Sequence, residues 1–216
     1  NNSWNMMTSK KIALITGASG GLGTAISEFL SSLGYKIIIT GRNWNKLVSL
    51  AHKLGSSCLS FHNIDLTEEV QIKSLMQKIQ PDILINCAGV FPVASLEEAS
   101  LEDFDECFSL NVRAPFLLMK LCAPYMKKQK WGRIVNIGSS SAYSGFASTS
   151  VYCSSKHALL GLTRSLFHEL KPYNVRAYCV SPGSIKTEMG KFISQLIEYD
   201  GNMISEEVRL NRMFVQ

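Results

Sequence analysis

Apolar residues along this chain gather into two alternating kinds of run: short unbroken blocks and longer stretches with helical spacing. The blocks "KIALIT", "YKIIIT", "ILIN", "RIVNIGS" and "VRAYCVSP" are continuous, the pattern of strands buried on both faces. "CLSFHNIDL" holds another strand, which leaves through Asp65. Between blocks, residues 23–33 put Ala25, Ile26, Phe29, Leu30 and Leu33 on one helical face. "WNKLVSLAHKL" and "EEVQIKSLMQKI" also read as helices, the second with acidic residues in its first turn. A long helical region spans 101–128, where Pro115 and Pro124 are expected to bend or divide it. The helix over 151–170 opens on a serine cap, Ser150. Strands alternating with helices predict one α/β domain, a parallel sheet covered on both faces.

Composition narrows the function. The 216 residues are 46% hydrophobic and 18% charged, which suits a buried sheet and excludes disorder. A formal charge of +5, spread along the chain, is too weak to imply nucleic-acid binding. Six cysteines (Cys58, Cys87, Cys107, Cys122, Cys153, Cys179) stand far apart with no CxxC pair, so neither a metal site nor a disulfide scaffold is expected. The polar leader, residues 1–10, lacks the apolar run of a signal peptide. No stretch approaches the roughly 18 apolar residues of a membrane span. The expectation is a soluble, cytoplasmic protein.

Chemistry enters at "TGASGGLG", residues 16–23, between the first strand and the first helix. Gly17, Gly21 and Gly23, with Ser19 and Leu22 between them, have the TGxxxGxG spacing. Glycine there permits a tight turn, a close pyrophosphate and close helix–strand packing, and the helix N-terminus favours an anion. A dinucleotide site is predicted. The second strand ends "IIITGRN", with Arg42 where a free ribose hydroxyl would call for a carboxylate. That favours NADP(H) over NAD(H), with Ser19 and Asn43 adding hydrogen bonds to the phosphate. In "SVYCSSKHALLGL", Tyr152 and Lys156 share a helix face one turn apart, a phenol beside an ammonium.

Further motifs follow in one order: "IDL" at 64–66, "NCAG" at 86–89, Asn111 in "LNV", Ser139 in "VNIGSSS", YxxxK at 152–156 and "SPGSIKT" at 181–187. Together they resemble the short-chain dehydrogenase/reductase (SDR) family from Lys11 to Thr187, and broadly its 3-oxoacyl-acyl-carrier-protein reductases. The resemblance implies a Rossmann-type doubly wound sheet of order 3-2-1-4-5-6-7. It implies reversible hydride transfer between a nicotinamide and a carbonyl or secondary alcohol, with no metal. Tyr152 then matches the general acid/base, and Lys156 the residue that lowers its pKa and binds the ribose. Bringing a phenol from about 10 to about 7 takes roughly 4 kcal/mol, which one close cation helped by the oxidised nicotinamide can supply. Ser139 matches the group that holds the carbonyl oxygen, with Ser140 and Ser141 as its nearest rivals, and Asn111 the holder of a relay water. Asp65 and Leu66 match residues beside the adenine. Asn86, Ala88 and Gly89 match the family's "NNAG", with Cys87 in place of its second asparagine. Pro182, Gly183, Ile185 and Thr187 match the loop at the nicotinamide.

The resemblance divides the chain into the leader, a nucleotide-binding and catalytic domain over 11–187, and a substrate-covering segment over 188–216. The family's last helix and seventh strand have no counterpart in this reading, which makes the chain a fragment or a short variant and bares the sixth strand as an edge. Phe91, Val93, Tyr143, Phe146, Met189 and Phe192 either line an apolar substrate pocket or are packing residues. Partners implied are a small carbonyl or alcohol substrate and a second copy, as homodimer or homotetramer, through 101–128 and 151–170. "KKQKWGR" at 127–133, with Lys171, offers charge to an acyl carrier protein or is a solvated loop. The rival function is a nucleotide-binding regulator or scaffold that keeps the fold without turnover.

Overall fold

Each apolar block becomes a parallel strand in the computed structural model, which describes residues 11–182 and 189–198 and the strand Phe214–Val215. The strands are β1 (Ile12–Ile15), β2 (Lys36–Gly41), β3 (Cys58–Asn63), β4 (Ile83–Asn86), β5 (Gly132–Ile137) and β6 (Val175–Ser181). Their order is β3-β2-β1-β4-β5-β6, followed by β7 (Phe214–Val215). β4, β5 and β6 are buried at every position, which is why their sequences do not alternate. The chain winds outward in opposite directions from β1 and β4, so a crevice opens at the C-terminal ends of these strands.

Helices cover both faces. On one, α1 (Gly21–Ser32) and α2 (Trp44–Leu54) bury Ile26, Leu30, Leu47 and Leu50 against Ile15, Ile39 and Val135. On the other, α3 (Glu69–Met76), α5 (Ala114–Lys128) and α6 (Ser150–Leu170) bury Ile72, Leu118, Cys122 and Leu170 against Leu14, Leu84 and Ile134. α4 (Leu101–Phe108) runs into α5 through a π-helical turn, Ser109–Arg113.

Three local expectations are corrected. Pro124 lies inside α5 without dividing it. Both Pro124 and Lys120, whose carbonyl loses its partner, are exposed, so water can replace the missing bond. Pro115 sits in the first turn of α5, where its absent N–H costs nothing, and the break before it is the π turn. The cap of α6 is Thr149 rather than Ser150, and the Thr149 hydroxyl donates to Phe146 O at 2.8 Å instead of capping the helix.

The C-terminal end differs most. Helix α7 (Met189–Glu198) packs on α1, with Met189, Phe192, Ile193, Leu196 and Ile197 in the same core as Ile26 and Leu30. Gly190 lies so close to Phe29 that a Cβ would come within 2.6 Å of it. β6 is not bare either: Val180 and Ser181 pair with the antiparallel β7. Arg133, 1% exposed, ties this helix to the sheet. Its Nε donates to Ile197 O at 3.1 Å, and its Nη1 to Gly132 O and Asn174 O at 2.9 and 3.2 Å. Arg133→Ala strands these buried carbonyls, so a loss of about 3 kcal/mol is expected, read from the urea midpoint at unchanged slope.

Candidate active site

The chain must turn at once between β1 and α1, and Gly17 does so at φ +63°. A Cβ there would stand 2.7 Å from the N and Cα of Ala88, so the loop after β4 rests directly on the turn. Thr16 fixes that approach, its Oγ1 accepting from Cys87 N at 3.1 Å and Ala88 N at 3.2 Å. A Cβ on Gly23 would overlap Gly17 O, whereas one on Gly21 meets nothing within 4 Å. The open side of the turn is therefore at Gly21, where α1 begins. No side chain caps α1 and no acidic residue lies in its first turn, so its leading N–H groups can receive an anion. These residues fit a pyrophosphate.

Other nucleotide candidates fall into two groups. Arg42 reaches solvent at the end of β2, 3.7 Å from Glu106 in a half-exposed ion pair. Ser19 lies against Gly41, where a Cβ would come 2.6 Å from its Oγ. Asn43 is engaged as the cap of α2, its Oδ1 accepting from Lys46 N at 3.0 Å. Asp65 Oδ1 accepts from Thr67 N and Oγ1 at 2.9 and 2.8 Å, bonds that hold its carboxyl below the ordinary range. Leu66 is a core residue beside Leu14 and Ile38. The Asn86 side chain is also turned inward, its Nδ2 donating to Asn136 Oδ1 at 2.7 Å. Asn136 in turn donates to Thr163 Oγ1 at 2.9 Å, so Asn86 ties β4 to β5 and α6. Pro182 closes β6, and Gly183, Ile185 and Thr187 lie outside the described residues.

The four reaction candidates converge at the ends of β4 and β5. The Ser139 hydroxyl is near enough to the Tyr152 phenol to favour its ionised form; Ser139 follows β5 in extended backbone, while Ser140 is exposed and Ser141 N donates to Ser139 Oγ at 3.1 Å. Lys156 is 6% exposed, with Nζ 5.6 Å from the Tyr152 ring centroid and donating to Ile137 O at 2.8 Å. A Cβ on Gly89 would lie 3.1 Å from Asn111 Oδ1 and 3.9 Å from Lys156 Nζ, so Gly89 floors both. Asn111 sits in the π turn and clamps Val90, Oδ1 accepting from Val90 N at 2.9 Å and Nδ2 donating to Val90 O at 3.0 Å.

Electrostatics here differ from the simple picture of an ammonium acidifying a phenol. Burial raises the Tyr152 pKa from its ordinary value, opposed by the Ser139 hydroxyl, with the Cys107 and Cys153 thiols adding to the rise. Burial likewise pulls the Lys156 ammonium below the ordinary lysine range. The ammonium is committed to Ile137 O, and desolvation outweighs it at the phenol.

A family model described as short chain dehydrogenase matches residues 11–197. This chain belongs to the short-chain dehydrogenase family. The uncharacterized oxidoreductase YxjF of Bacillus subtilis is 35% identical over 187 residues, 83% of this chain and 73% of that protein. The 3-oxoacyl-[acyl-carrier-protein] reductase FabG of Aquifex aeolicus is 33% identical over 210 residues, 94% of this chain and 84% of that protein. A metagenomic short-chain oxidoreductase crystallised with NADP superposes with a TM-score of 0.84 at 30% identity, covering 90% of this chain and 94% of that one. The chain is thus an NAD(P)-dependent short-chain dehydrogenase/reductase.

Beside the SDR motifs stand residues that sequence reasoning missed. Ser155 links the two sides of the site: Asn111 Nδ2 donates to its Oγ at 3.1 Å, and that hydroxyl donates to Tyr152 O at 2.8 Å. Thr16 is the first letter of the glycine motif, so its position was visible and its role was not. Of the pocket candidates, Met189 and Phe192 are core residues, and Tyr143 packs with Ala142, Leu160 and Cys179. Phe91, Val93 and Phe146 are exposed.

Proposed function

We propose that this SDR enzyme is an NADP(H)-dependent carbonyl reductase in which Tyr152 is the general acid and Ser139 holds the substrate oxygen. Residues 11–187 carry the nucleotide and reaction sites in this reading. The observation that carries it is the Tyr152 phenol lying between the Ser139 hydroxyl and the buried Lys156 ammonium at the strand ends, with an uncapped helix N-terminus for the nucleotide. When bound, the nicotinamide supplies the hydride. Gly17, Gly21 and Gly23 let the backbone approach its pyrophosphate, and the free N–H groups of α1 bind it. Ser139 donates to the carbonyl oxygen and polarises it; Tyr152 adds the proton as charge develops there. Lys156 holds the ribose hydroxyls and returns the proton to the phenol, and Asn111 keeps the floor of the site in place. Substrate oxidation reverses each transfer.

Arg42 supports the cofactor preference, because its exposed bond to Glu106 is weak and easily exchanged for a ribose phosphate. NADPH is expected to bind at least tenfold tighter than NADH in a fluorescence titration. Arg42→Ala is expected to cost NADPH about tenfold and leave NADH unchanged; equal affinities in the native protein contradict the preference. Leu101, Phe104 and Phe116, exposed on α4 and α5, support a homodimer through these helices. Six free thiols fit a reducing, cytoplasmic compartment. Among the described residues no helix is long and apolar enough to cross a membrane.

A further inference from the structure

Phe91 is 58% exposed, yet its ring packs edge-to-face on Tyr152 with centroids 4.5 Å apart at 75°. A bare aromatic gains little by staying in one place unless something holds it, and here its loop is clamped on both sides. Asn111 grips Val90 through both its amide atoms, and Ala94 N donates to Ser148 O at 2.9 Å. Pro92 stiffens the span between. The receiving loop is fixed too, with Ser148 at φ +59° and Phe146 O taken by the Thr149 hydroxyl. The clamped loop and its neighbour bring out Val93 and Phe146, also more than half exposed. An exposed ring fixed on a phenol, with two further exposed apolar side chains on the same pair of hydrogen-bonded loops, marks a surface meant to be covered.

We propose that Phe91 is a positioning residue that seats the Tyr152 phenol, and that with Val93 and Phe146 it forms an open apolar shelf for the non-reacting part of an aryl or acyl carbonyl substrate. The shelf rests on the oxidoreductase reading above; the seating of the phenol does not. Phe91 carries no charge, so its influence on the phenol is exclusion of water. The polar groups acting on Tyr152 are Ser139 from the end of β5, Cys107 from α4, Cys153 from α6, and Lys156 one turn along α6. Since burial is the largest cause of the raised phenol pKa, uncovering the ring lowers it.

The test compares the native protein with Phe91→Ala and Phe91→Tyr, using acetophenone and diacetyl as probes. Phe91→Ala is expected to raise KM for acetophenone roughly tenfold and for diacetyl far less, and to lower kcat for both several-fold. Phe91→Tyr keeps the ring and restores both values. NMR of ζ-carbon-labelled tyrosine, with Tyr152→Phe assigning the resonance, reads the phenol pKa without turnover; it is expected to fall in Phe91→Ala. Unchanged pKa and kcat in Phe91→Ala overturn the seating, and equal KM changes for the two ketones overturn the shelf. A native protein that reduces neither ketone while the phenol pKa still falls overturns the reductase reading and the shelf, and supports the seating.

Discussion

Tyr152→Phe lowers kcat for carbonyl reduction about a thousandfold and leaves nucleotide affinity within about twofold of native. The substitution removes one oxygen from a half-buried ring that stays packed against Phe91, so neither fold nor cleft changes. What disappears is the proposed proton donor. Ser139 remains and can still hold the carbonyl oxygen, but it cannot supply the proton, because an aliphatic hydroxyl is a far weaker acid than a phenol. The pH dependence has a definite sign. Burial holds the phenol above 10, so it stays protonated through the neutral range and reduction does not fall off there. Alcohol oxidation needs the phenolate and rises about tenfold per pH unit towards the phenol pKa. Stopped-flow measurement of hydride transfer in both directions checks these slopes, and a residual oxidation rate in Tyr152→Phe that keeps the native slope contradicts the assignment.

Gly17→Ala is the second large effect, and it acts on folding and binding together. An alanine at φ +63° carries about 1–2 kcal/mol of backbone strain. Its methyl would also stand 2.7 Å from Ala88 N and Cα, backbone atoms held by Thr16, and relieving that overlap costs about 1–3 kcal/mol more. The sum is about 2–5 kcal/mol, and the relief must come from moving the turn or the β4 loop. Urea unfolding is expected to show the loss, and NADPH affinity is expected to drop at least tenfold because both segments belong to the proposed nucleotide site. Gly21→Ala is the control: a Cβ there meets no atom within 4 Å, so stability is kept while nucleotide binding weakens. Equal stability of Gly17→Ala and the native protein contradicts the packing described for the turn.

What could be read from the sequence divides along physical lines. The strands were legible because β4, β5 and β6 are buried on both sides and leave an unbroken apolar record. Gly17 and Gly23 were legible because their positions tolerate no Cβ. Tyr152 and Lys156 were legible because a helix face fixes their spacing. Asn86 and Asn43 were ambiguous, since an amide can serve a ligand or the fold equally well, and each has one side-chain atom engaged here, tying strands together or capping a helix. The phenol pKa was also out of reach, because desolvation depends on packing that no spacing records. Helix α7 did leave a signal. Positions 189, 192, 193, 196 and 197 form one apolar stripe, the mark of a helix laid on a core rather than over a substrate. Its seat beside α1 is set by contacts with Phe29 and Arg133 that lie far away in sequence.

Whether this site reduces carbonyls with NADPH is tested most directly by nicotinamide absorbance as the native protein meets a panel of aryl, acyl and small dicarbonyl compounds. NADPH oxidation that depends on both carbonyl and enzyme is expected, with the alcohol formed in equal amount. NADPH that binds tightly and is never oxidised by any member of the panel contradicts it, and leaves a nucleotide-binding protein without turnover.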